Sequence, residues 1–189
     1  MARGLKSDYS TSTESRAVIT PRIKNAAGAN PEVYRGLLAL SNAAAKLGVP
    51  RTTLLLVSLR ASQINGCSFC VDMHWRELRD EGEPDEKIFA VSAWREAPYF
   101  TDAERAALAL TEAGTRLADR ADAVSDEIWN EAAQHYDEKG LTALVIGIAA
   151  INTWNRLNVI THQSAGEASK AAAEASAKAA HALAAAGAH

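Results

Sequence analysis

The sequence predicts an all-α fold. No segment alternates apolar and polar residues long enough to make a strand, and alanine is abundant. Apolar residues instead recur at helical spacing between N-cap signals and glycine or proline stops.

The elements follow in order. Residues 1–20 are polar, rich in Ser and Thr and without period, so a flexible arm is expected. A helical domain over 21–163 is expected next. Asn30-Pro31 is an N-cap followed by an N1 proline, and Gly48 closes that first helix. Pro50 opens a second helix carrying Leu54, Leu55, Leu56, Val57 and Leu59, which stops at the turn signal Asn65-Gly66. A third runs from about Cys67 to Arg79 and ends before Gly82-Glu-Pro84, and a fourth covers about Asp85 to Arg95. Thr101-Asp-Ala-Glu104 is a capping box opening a fifth helix with Ala106, Leu108, Leu110 and Ala113. Ser125-Asp-Glu-Ile128 begins a sixth. The seventh, about Glu138 to Val159, is mostly apolar and is expected to be central or buried between subunits. Residues 164–189 change composition: Ser169 to Lys178 is an alanine-based helix with scattered charges, high in propensity but with little to bury. A solvated helical tail is expected there, the alternative being docking on a neighbouring subunit through alanines and Leu183.

Composition narrows the function. At 20.1 kDa and 48% hydrophobic, the chain suffices for one core. A net charge of -3, a pI of about 6.0 and no basic stripe argue against a nucleic-acid partner. No run of 18 apolar residues exists, and the longest stretch, Leu141 to Ile151, is interrupted by Thr142 and Gly147, so no membrane span is expected. The start Met-Ala-Arg-Gly-Leu-Lys lacks an apolar core, so a cytoplasmic location is expected. In a reducing compartment a close cysteine pair is more often catalytic or metal-binding than a structural staple.

The two cysteines of the chain, Cys67 and Cys70, lie within eight residues of His74. On a helix starting at Cys67, about 100° per residue places all three within an arc of roughly 60°. Cys67 falls in the first turn, where free N–H groups favour a thiolate. His74, one turn beyond Cys70, can take up a proton or stabilise the anion. Thiols at i and i+3 can close a disulfide there with little rearrangement. Three chemistries fit. A thiol–disulfide redox site uses every residue. A zinc site would need a fourth ligand from His135, His162 or water, and a second CxxC pair is missing. Two buried cysteines beside a core histidine would leave unexplained why both share a helix face. A thioredoxin-like module is disfavoured, because that motif follows a strand and this one follows a helix.

Ser62-Gln-Ile-Asn-Gly-Cys-Ser-Phe-Cys-Val-Asp-Met-His74, with Ser92-Ala-Trp-Arg95 and Ala150-Ile-Asn-Thr-Trp-Asn-Arg-Leu-Asn158, resembles the alkylhydroperoxidase D-like branch of the carboxymuconolactone decarboxylase family. The resemblance covers about residues 20 to 163. It implies a compact multi-helix domain, a homo-oligomer (trimer or hexamer) with sites near subunit contacts, and a thiol-dependent peroxidase or disulfide reductase. It also implies roles: Cys70 attacks the peroxide and becomes a sulfenic acid, Cys67 donates a proton and resolves it as a disulfide, and His74 belongs to the proton relay. Position in the helix alone would favour Cys67 as the lower-pKa thiol. The implied partners are a peroxide and a dithiol electron donor, with no cofactor and no metal. The family's decarboxylase activity does not rely on CxxC, so the motif argues against it.

The family relay carries a glutamate twelve residues before the first cysteine, where this chain has Leu55. Weak turnover is therefore expected, or a redox-responsive binding or sensor protein instead of an enzyme. Glu77 is one turn beyond His74 and could orient it, but a solvated surface glutamate is the expected reading, and Gln63 cannot exchange protons. Trp94-Arg95 and Trp154-Asn-Arg156 are expected in the core ahead of a substrate pocket. Arg60 and Arg156 are expected in structural ion pairs, and His135, His162, His181 and His189 at the surface.

Overall fold

Helix boundaries fall at the cap residues. The computed structural model describes residues 20–25, 28–118 and 120–186. Asn30 accepts the N–H groups of Glu32 and Val33 at 2.9 and 3.3 Å, opening α1 (Pro31–Ala45). Helix α2 (Arg51–Asn65) follows Pro50 and stops at Gly66, whose φ of 68° is left-handed and open to glycine at no steric cost. Helix α3 (Ser68–Asp80) starts at once, with Cys67 as its N-cap. Next come α4 (Asp85–Ala90) and a 3₁₀ turn, Val91–Ala93. The fourth helix is thus shorter than the expected run to Arg95: the chain turns before Pro98 and delivers Trp94 and Arg95 to Glu112. Helix α5 (Asp102–Thr115) has its capping box complete, Thr101 and Glu104 each accepting the other's backbone N–H. Ser125 caps α6 (Asp126–His135), Asp137 caps α7 (Glu138–Ile160), and α8 (Glu167–Ala186) ends the described chain.

Among the described residues there is no strand, so the all-α expectation holds. The arm expected over 1–20 lies, up to residue 19, outside the described residues.

Helix α2 is the scaffold for everything near the cysteines. It packs on α3, α5 and α7, and Leu56, Val57, Leu59 and Ala61 are almost completely buried. Each such Leu or Val contributes about 1.5–3 kcal/mol relative to an exposed one, so α2 is fixed from several sides. One apolar cluster joins Val57 to Ala106, Leu110, Leu144 and Ile148. Another joins Leu56 and Leu59 to Leu78, Val91, Trp94 and Leu108, anchoring α3 on α2. Helix α7 is long and apolar enough to cross a membrane by length and composition. In the fold it lies against α1, α2 and α5, and that packing accounts for its apolar residues.

The tail departs from expectation. Helix α8 is not a solvated appendage; it lies along α3 of its own chain. Ser169 and Ala173 are 0% and 1% exposed, and with Ser176 they form an i, i+4, i+7 contact stripe. Such small residues bury little each, but they let two helix backbones approach closely. The side chain of Leu183 lies outside the described residues.

Candidate functional site

The tight reversal at Gly66 aims Cys67 inward. The Cys67 N–H donates to Ser62 O at 3.0 Å, and the Cys67 carbonyl accepts Val71 N–H at 2.9 Å as the first bond of α3. Its Sγ accepts the Cys70 N–H at 3.3 Å. Cys67 and Cys70 are joined as a disulfide with Cα atoms 5.4 Å apart. They are 1% and 3% exposed, enclosed by Ala61, Phe69, Ile151 and Trp154. From α7, Asn158 Nδ2 donates to Cys70 Sγ at 3.3 Å. The two sulfurs thus meet different donors: a helix-terminal N–H for Cys67 and a side-chain amide for Cys70.

His74 lies one turn beyond Cys70 and is buried. Its Nδ1 is 2.7 Å from Glu77 Oε2. Glu77 is 2% exposed, and its other oxygen takes Arg51 Nη2 at 3.2 Å. Arg51 also pairs with Glu81 at 2.7 Å. Burial pushes the Glu77 carboxyl up, but the bond to His74, the Ser176 hydroxyl and the Arg51 charge outweigh it and hold it below the ordinary value. An ionised Glu77 accepts from Nδ1–H, which fixes the tautomer and leaves Nε2 as the nitrogen that exchanges a proton.

The expected surface position of Glu77 is therefore wrong. Helix α8 covers it, and α2 supplies its cation. The signal was present in the spacing: at about 100° per residue, Glu77 extends the arc of Cys67, Cys70 and His74 to roughly 80°. Leu55 sits in the apolar cluster with Leu56 and Leu78, and the carboxylate beside His74 comes from α3 itself.

Three asparagines spaced by three in an apolar helix were the other unused signal. Asn65 Nδ2 donates to Asn152 Oδ1 and Asn155 Oδ1 at 3.0 and 2.9 Å, and Asn155 Nδ2 donates to Ser62 Oγ at 3.0 Å. With Asn158 on Cys70, they tie the lead-in before Cys67 to α7 by buried polar bonds, each costly to leave unmade.

The other expected residues settle as follows. Trp94 is buried, and its Nε1 donates to Glu112 Oε1 at 3.0 Å. Glu112 also takes Arg60 at 2.6 Å, Arg95 at 2.7 Å and Arg116 at 3.3 Å. Burial raises the Glu112 carboxyl, but the bonds from Arg95, Trp94 and Arg60 and the Arg60 charge prevail and hold it at about 2. The structural ion pair expected of Arg60 is present. Arg156 instead bonds Asn152 O and Oδ1 at 3.1 and 3.2 Å, because a neighbour one turn back satisfies it. Trp154 is half-buried beside the disulfide, its Nε1 donating to Ser41 Oγ at 3.1 Å. His135 is exposed, 3.4 Å from Glu131, and His162 is exposed just past α7. Among the described residues no cluster of three His, Cys, Asp or Glu draws either to the cysteines. The side chains of His181 and His189 lie outside the described residues.

Known proteins resemble this chain to different degrees. The carboxymuconolactone decarboxylase family model matches residues 31–113. The uncharacterized protein YdfG of Bacillus subtilis is 36% identical over 129 residues, spanning 68% of this chain and 86% of its own. The uncharacterized protein YnjA of Escherichia coli is 35% identical over 103 residues, 54% of this chain and 55% of its own, so the chain spans about half of that relative. A solved Agrobacterium tumefaciens protein of unknown function, ascribed to AhpD-type antioxidant defence, superposes with a TM-score of 0.72 at 37% identity. That match covers 78% of this chain and 100% of the other. The debrominase Bmp8 superposes with a TM-score of 0.65 at 21% identity over 78% of each chain, a likeness of fold.

Proposed function

From the premise that the chain belongs to the alkylhydroperoxidase D-like branch of the carboxymuconolactone decarboxylase family, we propose that it is a thiol-dependent peroxidase, reducing hydrogen peroxide or an organic hydroperoxide through Cys67 and Cys70. The observation that carries this reading is the sharing of one helix face by a closed Cys67–Cys70 pair and a buried His74–Glu77 dyad.

In the reduced state, the Cys70 thiolate attacks the terminal peroxide oxygen. The O–O bond breaks, the alcohol or water leaves with a proton, and Cys70 becomes a sulfenic acid. The Cys67 thiolate then attacks that sulfur, forming the disulfide and releasing hydroxide, which is protonated to water. Two thiols and one organic hydroperoxide give one disulfide, one alcohol and one water; with hydrogen peroxide both small products are water. His74, held by Glu77, moves the proton through Nε2. Asn158 donates to Cys70 and stabilises the anion there, which supports Cys70 as nucleophile against the helix-terminal advantage of Cys67. An external dithiol returns the two electrons, chemistry suited to the reducing cytoplasm. A homo-oligomer is part of this reading; an open groove lined by Trp129, Tyr136, Leu141 and Val145 offers an apolar surface for it.

One observation favours a second reading. Both sulfurs are buried in the single chain, so a reducing carrier reaches them only after movement. A redox-responsive binding protein would be oxidised once and not recycled. Peroxide consumption with a recycling dithiol separates the two. Many turnovers, lost in both Cys67→Ser and Cys70→Ser, support the peroxidase; one stoichiometric oxidation sinks it.

A further inference from the structure

Helix α8 lies outside the residues matched by the family model, yet it closes over the one helix that carries the thiols. Its attachment is polar at three levels. The Ala165 N–H donates to Ser68 Oγ at 3.4 Å at the start of α3. Ser169 Oγ donates to Asp72 Oδ2 at 2.6 Å one turn later. Arg51 Nη2, which holds Glu77 at 3.2 Å, also donates to Ser176 Oγ at 3.5 Å. Between the last two, Ala173 is buried against α3.

We propose that α8 is a positioning element of the thiol site, with Ser176 as its working residue: it shuts water away from Glu77 and, through the shared Arg51, keeps the carboxylate on His74 Nδ1. This rests on the redox reading of α3. Glu77 is faced by His74 on its own helix, by Arg51 from α2 and by Ser176 from α8, while Glu81 competes for Arg51. Lys170 and Glu174 lie in the adjoining groove with Arg76, Arg79 and Asp80. Most helical stability in a protein comes from tertiary packing, so the order of α8 draws on this docking. When it lifts, Glu77 is hydrated and its hold on the imidazole is screened.

The test uses the full chain. The ring resonances of His74, followed by NMR from pH 7 down through the acid range, report the protonation of Glu77. Ser176→Ala removes a group that holds this carboxyl down, so the Glu77-linked inflection should move to higher pH. Ser176→Thr, which keeps the hydroxyl, should restore it. Ala173→Glu puts a charge into the α3–α8 contact and should move the inflection at least as far. An unmoved inflection in Ser176→Ala overturns the proposal, and so does failure of Ser176→Thr to restore a moved one. The Ser176 pair decides the matter even if Ala173→Glu does not fold. Peroxide turnover is measured on the same samples. A wild type without turnover but with the shift intact defeats the peroxidase reading and leaves the positioning role standing.

Discussion

Glu77 stands 2.7 Å from Nδ1 of His74, three residues on along the same helix and almost without solvent contact. A carboxylate in that position accepts from Nδ1–H, orients the imidazole and leaves Nε2 facing away from it. In the proposed reading this carboxylate takes the place of the one that Leu55 does not provide, from within α3.

Glu77→Gln keeps the side-chain shape and removes the charge. Peroxide consumption should fall about tenfold or more if His74 works as a proton carrier. Stability should fall too, with a defined pH dependence. The folded-state carboxyl lies below its ordinary value, so its stabilisation is full above the ordinary carboxylate range and is lost as pH falls through the lowered value. Urea midpoints of the two proteins should differ at pH 7 and draw together as pH falls below the ordinary carboxylate range. Equal midpoints at pH 7 would count against the pairing.

Leu55→Glu is the complementary experiment. Leu55 is buried in the cluster of Leu56, Leu59 and Leu78. A carboxylate placed there costs about 2 kcal/mol or more in the absence of a partner. The variant should unfold at lower urea and show no gain in peroxide consumption. A clear gain would mean that Glu77 does not serve the relay.

Asn158→Leu tests the environment of Cys70. The substitution removes the donor at 3.3 Å from Sγ while keeping the volume. In the reduced protein, alkylation at pH 7 should slow several-fold at Cys70 and shift toward Cys67, as mass spectrometry of the labelled peptides would read. Removing one such donor leaves the thiolate at Cys70 less stabilised. An unchanged partition between the two cysteines argues that Asn158 is a packing residue alone.

The helices were legible because their ends are marked by local chemistry: Asn30-Pro31, Asn65-Gly66 and Thr101 to Glu104 act within a few residues. The thiol pair was legible for the same reason. What escaped depends on partners distant in the chain. The burial of Glu77 needs Arg51 and α8, and the position of α8 needs a face of serines and alanines that carries no hydrophobic pattern. Asn158 meets Cys70 across 88 residues. Trp94 and Arg95 were visible as a motif, but their common anchor, Glu112, looks from the sequence like any exposed helical glutamate.

That anchor yields the clearest acid-stability prediction. Glu112 gathers Arg60, Arg95, Arg116 and the Trp94 indole onto one buried carboxylate, joining α2, α5 and the segment after the 3₁₀ turn. Its folded-state pKa of about 2, against an ordinary value of 4.5, means that the unfolded chain takes up the proton first as pH falls. The stabilisation is present above about pH 4.5 and drains away toward about pH 2. By linkage it is of order 3 kcal/mol at neutral pH. Glu112→Gln should lose a comparable amount at pH 7, because the half-buried Arg60 guanidinium loses its counter-charge. Its stability should also vary less between pH 5 and pH 2 than that of the wild type. Parallel acid dependence in the two proteins would assign the acid sensitivity to other carboxylates.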